Sequence, residues 1–319
     1  MDYIYNKIFL EHNTGNHAEN FHRLEVIKKK PDSPLVSGED YLPLVHTSAH
    51  IDLVKKIAES GGGRLDPDTI VSSRSYQAAI YAVGATIEAA ATSGFALVRP
   101  PGHHAYASYG SGFCLFNNIA IAVQKLVMEG KRVLIFDFDG HYGNGTADIF
   151  YKTGKVLYWS IHQYPAYPGN GFVNEIGSGF GLGYNIAVPL PKASGDDIFK
   201  KAFETFLPVA LEFQPDVVAV SAGFDAHYLD PLLSLRLTSG TFHWIGAQLA
   251  ANFNNIFAVL EGGYNLECLP ACVENLYRGV NQKREKREEK ETETDLTIWD
   301  EYEERERSLK KALSIIWNF

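Results

Sequence analysis

The chain is poor in cysteine, with three in 319 residues. That excludes a disulfide framework of the kind that holds small secreted domains together. Cys268 and Cys272 lie four apart, but no second cysteine or histidine pair stands near them, so they do not read as a zinc knuckle. No uninterrupted apolar run is long enough to span a bilayer. Nor does a basic region lead into an apolar stretch after Met1, so no signal peptide is expected and the protein reads as cytoplasmic. Positive charge is also short: the formal net charge is -9. This argues against direct nucleic-acid binding and leans weakly towards cationic substrates or partners. No Ser/Pro-rich linker and no internal repeat divides the chain, so residues 1–319 read as one domain with ample material for a core.

What is present is an alternation of strand-like and helix-like segments. Phe95 to Val98 precedes a helical pattern over Asn117 to Met128, and Val133 to Phe136 precedes one over Thr146 to Tyr151. Val156 to Ile161 is a further strand, Ile198 to Phe213 a helix leading to the strand Val217 to Val220, and Thr241 to Phe253 a helix leading to Ile256 to Leu260. The alternation predicts an α/β fold, a parallel sheet with helices on both faces. Residues 282–307 are dense in Lys, Arg and Glu and read as a solvated surface segment. Residues 308–319 turn apolar again, with Leu313, Ile316 and Trp317 at helical spacing, and predict a helix that packs back on the body.

Four predicted strands end in unusual polar clusters: Arg99-Pro-Pro-Gly-His-His-Ala105, Asp137-Phe-Asp-Gly-His-Tyr-Gly-Asn-Gly145, Ser221-Ala-Gly-Phe-Asp225 and Glu261-Gly-Gly-Tyr264. In open α/β sheets the carboxyl ends of the strands form the ligand-binding rim. An Asp-x-His triplet alone is more often a satisfied structural pair than a metal site. Its recurrence with other polar clusters on one rim points instead to a divalent cation held by Asp139, His141 and Asp225, whose charge of -2 balances it. On an extended chain Asp139 and His141 point to one side. His103 and His104 supply proton transfer, Asp137 and Asn144 orient those imidazoles, and Tyr264 donates to a developing oxyanion. Together the parts describe metal-assisted amide hydrolysis.

With Gly112-Phe-Cys-Leu-Phe-Asn-Asn118, these blocks resemble the signature of the histone deacetylase superfamily, which includes acetylpolyamine amidohydrolases and acetoin-utilisation proteins. The resemblance covers about residues 10 to 280 in the family's block order. It implies an arginase/deacetylase-like fold, an open and mainly parallel sheet, and hydrolysis of an N-acyl amine. By position it makes Asp139, His141 and Asp225 the ligands of zinc, with iron(II) as the alternative metal. His103 and His104 become the acid/base pair and Tyr264 the carbonyl-polarising group. Gly112, Phe113, Tyr167 and Leu232 line the acyl-lysine tunnel, though the aromatics read equally as ordinary packing. Asp137 and Ser160 resemble an inner potassium site. Arg23 matches either an arginine near a product channel or a surface side chain, and Asp68 either a substrate-gripping rim residue or a turn.

Three positions depart from the pattern. Many relatives carry His where Tyr142 stands, some carry Asp in place of Asn144, and the block His17 to Arg23 is a loose version of the usual one. Leu232 stands where some polyamine-selective members place an acidic residue, which favours acyl-lysine-like or apolar substrates; whether the substrate is an acylated lysine peptide or protein or a small N-acyl amine stays open. Two rivals stay open. A two-metal arginase-like hydrolase would draw on Asp137, His227 and Asp230 as well; a non-catalytic relative would bind acylated ligands without turnover. The sequence leaves the oligomeric state open.

Overall fold

A computed structural model describes residues 1–28 and 30–319. Its strands are β1 (Tyr3–Ile4), β2 (Gly62–Asp66), β3 (Thr69–Ser72), β4 (Phe95–Ala96), β5 (Val133–Asp137), β6 (Val156–Gln163), β7 (Asn185–Leu190), β8 (Val217–Ala222) and β9 (Ile256–Leu260). The helices are α1 (His22–Glu25), α2 (Ser48–Glu59), α3 (Ser75–Thr92), α4 (Asn118–Met128), α5 (Asn144–Phe150), α6 (Asp196–Phe213), α7 (Ser239–Asn252), α8 (Leu269–Val280) and α9 (Leu296–Leu313). Seven strands form one parallel sheet in the order β1-β4-β9-β8-β5-β6-β7, with the helices packed around it. β2 and β3 form a separate antiparallel hairpin.

The central strands are apolar at nearly every position because both faces are covered, as a parallel sheet requires. From β5 the chain steps outward to β6 and β7, then returns to β8 on the other side of β5. The order therefore reverses between β5 and β8, where such sheets open a ligand-binding crevice. The register sets Asp137 beside Ser160 on one side and Ser221 on the other.

Several expected boundaries differ. The strand beginning at Phe95 pairs over only two residues, although the Leu97 amide still donates to the Ile4 carbonyl at 2.9 Å. The helix expected from Thr146 starts at Asn144. The charged stretch 282–307 divides into an irregular strap and most of α9, so the closing helix begins at Leu296 rather than near 308. The strap is tied down by Asp196 at the start of α6. This buried carboxylate accepts from the Thr292 amide at 2.9 Å and from the Thr238 amide and hydroxyl at 2.8 and 3.0 Å. Leu309, Leu313 and Trp317 are buried and the Trp317 indole donates to the Gly183 carbonyl at 2.7 Å, whereas Ile316 is half-exposed.

The two sheet edges are treated differently. β1 is two residues long. β7 contains Pro189 and lies against α9, whose Arg305 donates to the Tyr164 and Pro189 carbonyls at 2.8 and 3.2 Å.

Candidate active site

β5 delivers its polar residues at the switch point through two successive turns rather than an extended run. The Asp139 amide donates to Asp137 Oδ1 at 3.1 Å and the His141 amide to Asp139 Oδ1 at 2.9 Å. Each aspartate thus caps the amide two residues on, a local preference of Asp that overrides the strand. The outcome still brings Asp139, His141 and, from the loop after β8, Asp225 together: one ligand atom from each lies within 4.8 Å of the others. His141 Nδ1 is 2.7 Å from Asp225 Oδ2 and 3.3 Å from Asp139 Oδ1. Backbone amides hold the carboxylates from behind, Gly140 on Asp225 at 2.7 Å and Gly262 on Asp139 at 2.8 Å. A Cβ at position 262 would come within 2.5 Å of Asp225 and 2.6 Å of Asp139, so only glycine fits there.

Burial opposes charge on all three groups, and mutual attraction outweighs it at His141 and Asp139 but not at Asp225. Asp225 and Asp139 outweigh burial at His141 and lift it to about 10. Burial also acts on Asp139, but His103 and His141 hold it well below the usual carboxylate range. Asp225 is pushed up by burial and by neighbouring Asp139. Two buried carboxylates and one imidazole suit a divalent cation in donor type, charge and spacing.

Beside this trio stand the two imidazoles of the loop after β4. His103 Nδ1 is 3.1 Å from Asp137 Oδ2, which also accepts from the Tyr158 hydroxyl at 2.9 Å. His104 Nδ1 is 2.7 Å from Asn144 Oδ1, and the Asn144 amide group donates to the Tyr106 hydroxyl at 3.1 Å. Burial lowers His103, but Asp139 and Asp137 reverse this and raise it to about 10. Burial, then the charges of His103 and His141, drive His104 well below the ordinary histidine value. The two rings of the pair are thus pushed in opposite directions. Glu261 anchors their loop, accepting from the Gly102 and His103 amides at 2.7 and 3.2 Å.

A cavity of about 440 Å³ opens above the trio, and His104, Gly112, Phe113, His141, Tyr167, Leu232 and Tyr264 line it with Asp66, Pro67 and Asp68. The Tyr167 ring stands edge-on to His104 at 5.1 Å, and Phe113 edge-on to Tyr264 at 5.8 Å. Gly112 has φ +54°, and a Cβ there would meet the His104 ring at 2.5 Å. Asp68, on the turn between β2 and β3, is exposed and 3.2 Å from His17 Nε2. Tyr264 is held by its amide, which donates to Asp230 Oδ2 at 2.7 Å, and by the Arg23 guanidinium 4.9 Å from its ring centroid.

Arg23 is not a surface side chain. It is fully buried and donates to the carbonyls of Gly263 and Glu261, both at 2.6 Å. Its carboxylate partner is Glu19, at 3.0 Å, which also pairs with both Nε and Nη2 of Arg99, at 2.5 and 2.7 Å. Glu19 and Glu261 were not singled out from sequence. A buried acid is visible there only through its partners, which lie 80 and 159 residues away.

Tyr142 turns away from the cavity. It is buried, its hydroxyl accepts from the Asn185 side-chain amide at 3.0 Å, and its ring lies 4.7 Å from that of His162. Ser160 is buried with its hydroxyl 2.9 Å from His162 Nδ1. The extra ligands that a two-metal site would need face elsewhere: His227 Nε2 lies 3.2 Å from Glu289, and Asp230 accepts from the Tyr264 and Leu232 amides.

Comparison with known proteins gives a consistent picture. A family profile described as "Histone deacetylase domain" matches residues 15–280. A "Probable deacetylase" of Methanothermobacter thermautotrophicus is 39% identical over 277 residues, covering 81% of this chain and 84% of that protein. "Histone deacetylase 10, chloroplastic" of Oryza sativa subsp. japonica is 38% identical over 289 residues, 80% of this chain and 65% of that one. A crystal structure of the HDA15 HD domain superposes with a TM-score of 0.89 at 30% identity, covering 98% of this chain and 96% of that one. Among the described residues, no helix is long and apolar enough to cross a membrane.

Proposed function

Because this chain belongs to the histone deacetylase family, we propose that it is a metal-dependent deacylase that removes an acetyl or related acyl group from a lysine-like amine. The observation that carries the reading is the trio Asp139, His141 and Asp225, whose His141 lines a cavity together with His104 and Tyr264. Zinc fits the mixed oxygen and nitrogen donors, with iron(II) the alternative. When bound, the cation supplies Lewis acidity to a carbonyl and lowers the pKa of water. Asp137 and Ser160, adjacent in register, would supply side-chain oxygens to a structural potassium ion.

The chain's own groups divide the remaining work. Neutral His104, with Nδ1 donating to Asn144, presents Nε2 as the acceptor for a proton of the attacking water and passes it to the departing amine. His103 keeps its positive charge one layer deeper, beside Asp137. Tyr264 donates its hydroxyl to the developing oxyanion. Phe113 and Tyr167 flank an extended aliphatic chain, and Leu232 gives the wall an apolar patch. Small N-acyl amines are a second reading, favoured by the carboxylates of Asp66 and Asp68 at the same cavity.

The test measures amine release from acetyl-lysine peptide, longer acyl-lysine peptide and acetylated polyamine, with metal content on the same preparation. Turnover is expected, and Tyr264→Phe should reduce kcat by about 10²–10³-fold with metal content unchanged. Metal-loaded protein that binds the peptides without turning any over would establish the non-catalytic reading instead.

A further inference from the structure

A second cluster, His227, Cys268 and Cys272, takes no part in the chemistry above. It lies behind the wall that carries Tyr264. His227 follows Asp225 on the loop after β8, Cys268 caps α8, and Cys272 sits in the first turn of that helix. All three are buried, and one ligand atom from each lies within 4.8 Å of the others. A tetrahedral site with zinc–sulfur bonds of about 2.3 Å places its ligands roughly 3.8 Å apart, within the 4.8 Å limit that the cluster's ligand atoms already meet.

The chemistry of the donors agrees with the geometry. Two thiolates and a neutral imidazole balance a +2 ion, and thiolates select zinc over magnesium or calcium. The N-terminus of α8 favours negative charge at this end of the helix; burial pushes the Cys272 thiol up, and a bound cation would offset that. His227 has the carboxylate partner that orients metal-bound imidazoles: its Nε2 is 3.2 Å from Glu289 Oε2, which the Ser239 amide holds at 2.7 Å; its Nδ1 accepts from the Leu229 amide at 3.2 Å, a contact the ion would replace. Glu289 Oε1 is buried without a hydrogen-bond partner, its nearest cation being Arg287 Nη2 at 3.0 Å. The local sequence conceals the site because the histidine lies 41 residues before Cys268.

We propose that His227, Cys268 and Cys272 bind a second metal ion, zinc, with a water completing the tetrahedron. The ion joins the loop that carries Asp225, the start of α8 just after Tyr264, and the strap that carries Glu289. It does not depend on the function proposed above.

Metal counting on the reduced 319-residue chain, reconstituted with zinc, tests it. About two ions per chain are expected, falling to about one in Cys268→Ser/Cys272→Ser and to about one in Asp139→Asn/Asp225→Asn. Cobalt(II) gives a reading that needs no variant to fold: the wild-type chain should show a near-ultraviolet thiolate-to-cobalt charge-transfer band. That band should persist in Asp139→Asn/Asp225→Asn and vanish in the cysteine variant. A wild-type chain that binds one ion and shows no such band overturns the proposal. One ion with the band, undiminished in Asp139→Asn/Asp225→Asn, supports this site and removes the catalytic metal instead.

Discussion

Asp137 touches no part of the cavity, yet its carboxylate, 3.1 Å from His103 Nδ1, bears on the charge of that ring. After burial and Asp139, it is the next influence on His103, which it raises. Asp137→Asn should lower the His103 pKa, so the alkaline limb of kcat/KM should move to lower pH; an unmoved limb would show that His103 need not be charged. The acid limb should stay in place, because Asp137 is not bonded to His104. At this scale the sequence was informative where chemistry is concentrated in short runs: Asp139, His141, Asp225, His103, His104 and Tyr264 come from motifs at strand ends and meet as expected. It was silent on Glu19, Glu261 and the support that Asp230 gives Tyr264, since each acts through a backbone amide or guanidinium distant in the chain.

Among the elements, the loop running into α1 matters more than its length suggests. It brings Glu19 between two buried guanidinia, and Arg23 then reaches the carbonyls flanking the Gly262-Gly263 turn. Removing the carboxylate leaves two buried cations unpaired, so Glu19→Gln should cost about 3–5 kcal/mol of stability by urea unfolding. Burial raises the Glu19 pKa, but Arg99 and Arg23 overcome this and hold it at about 2 against an ordinary 4.5. Its stabilisation is thus complete above about 4.5 and is lost as the pH falls towards about 2. The difference in urea midpoint between wild type and Glu19→Gln should narrow over that window, and a constant difference would contradict the pairing. The strands and helices named from apolar periods were legible to within a few residues, except that the closing helix begins at Leu296; α2, α3, α8 and β7 were not named. The β2–β3 hairpin was not, because Gly-Gly-Gly-Arg-Leu-Asp has neither a period of two nor an apolar face. Its turn nevertheless supplies Asp66 and Asp68 to the cavity.

For the molecule as a whole, strand alternation pointed to a parallel sheet, but not to its order. The reversal between β5 and β8, which assembles the trio, depends on which strands become neighbours, and apolar periodicity carries no such information. The same order leaves β7 as a six-residue outer strand, shielded by Pro189 and by α9. A long, bare outer strand is a template for pairing with another chain. The C-terminal helix is therefore a guard against aggregation as well as a packing element. A chain ending at residue 295 should form larger assemblies than the intact protein, seen by light scattering at matched concentration, and Pro189→Val in that shortened chain should make them larger still. If the shortened chain scatters no more than the parent while staying folded, β7 protects itself. On this view the acidic and basic residues on the outer side of α9 act as solubilising groups for a surface that would otherwise recruit its own kind.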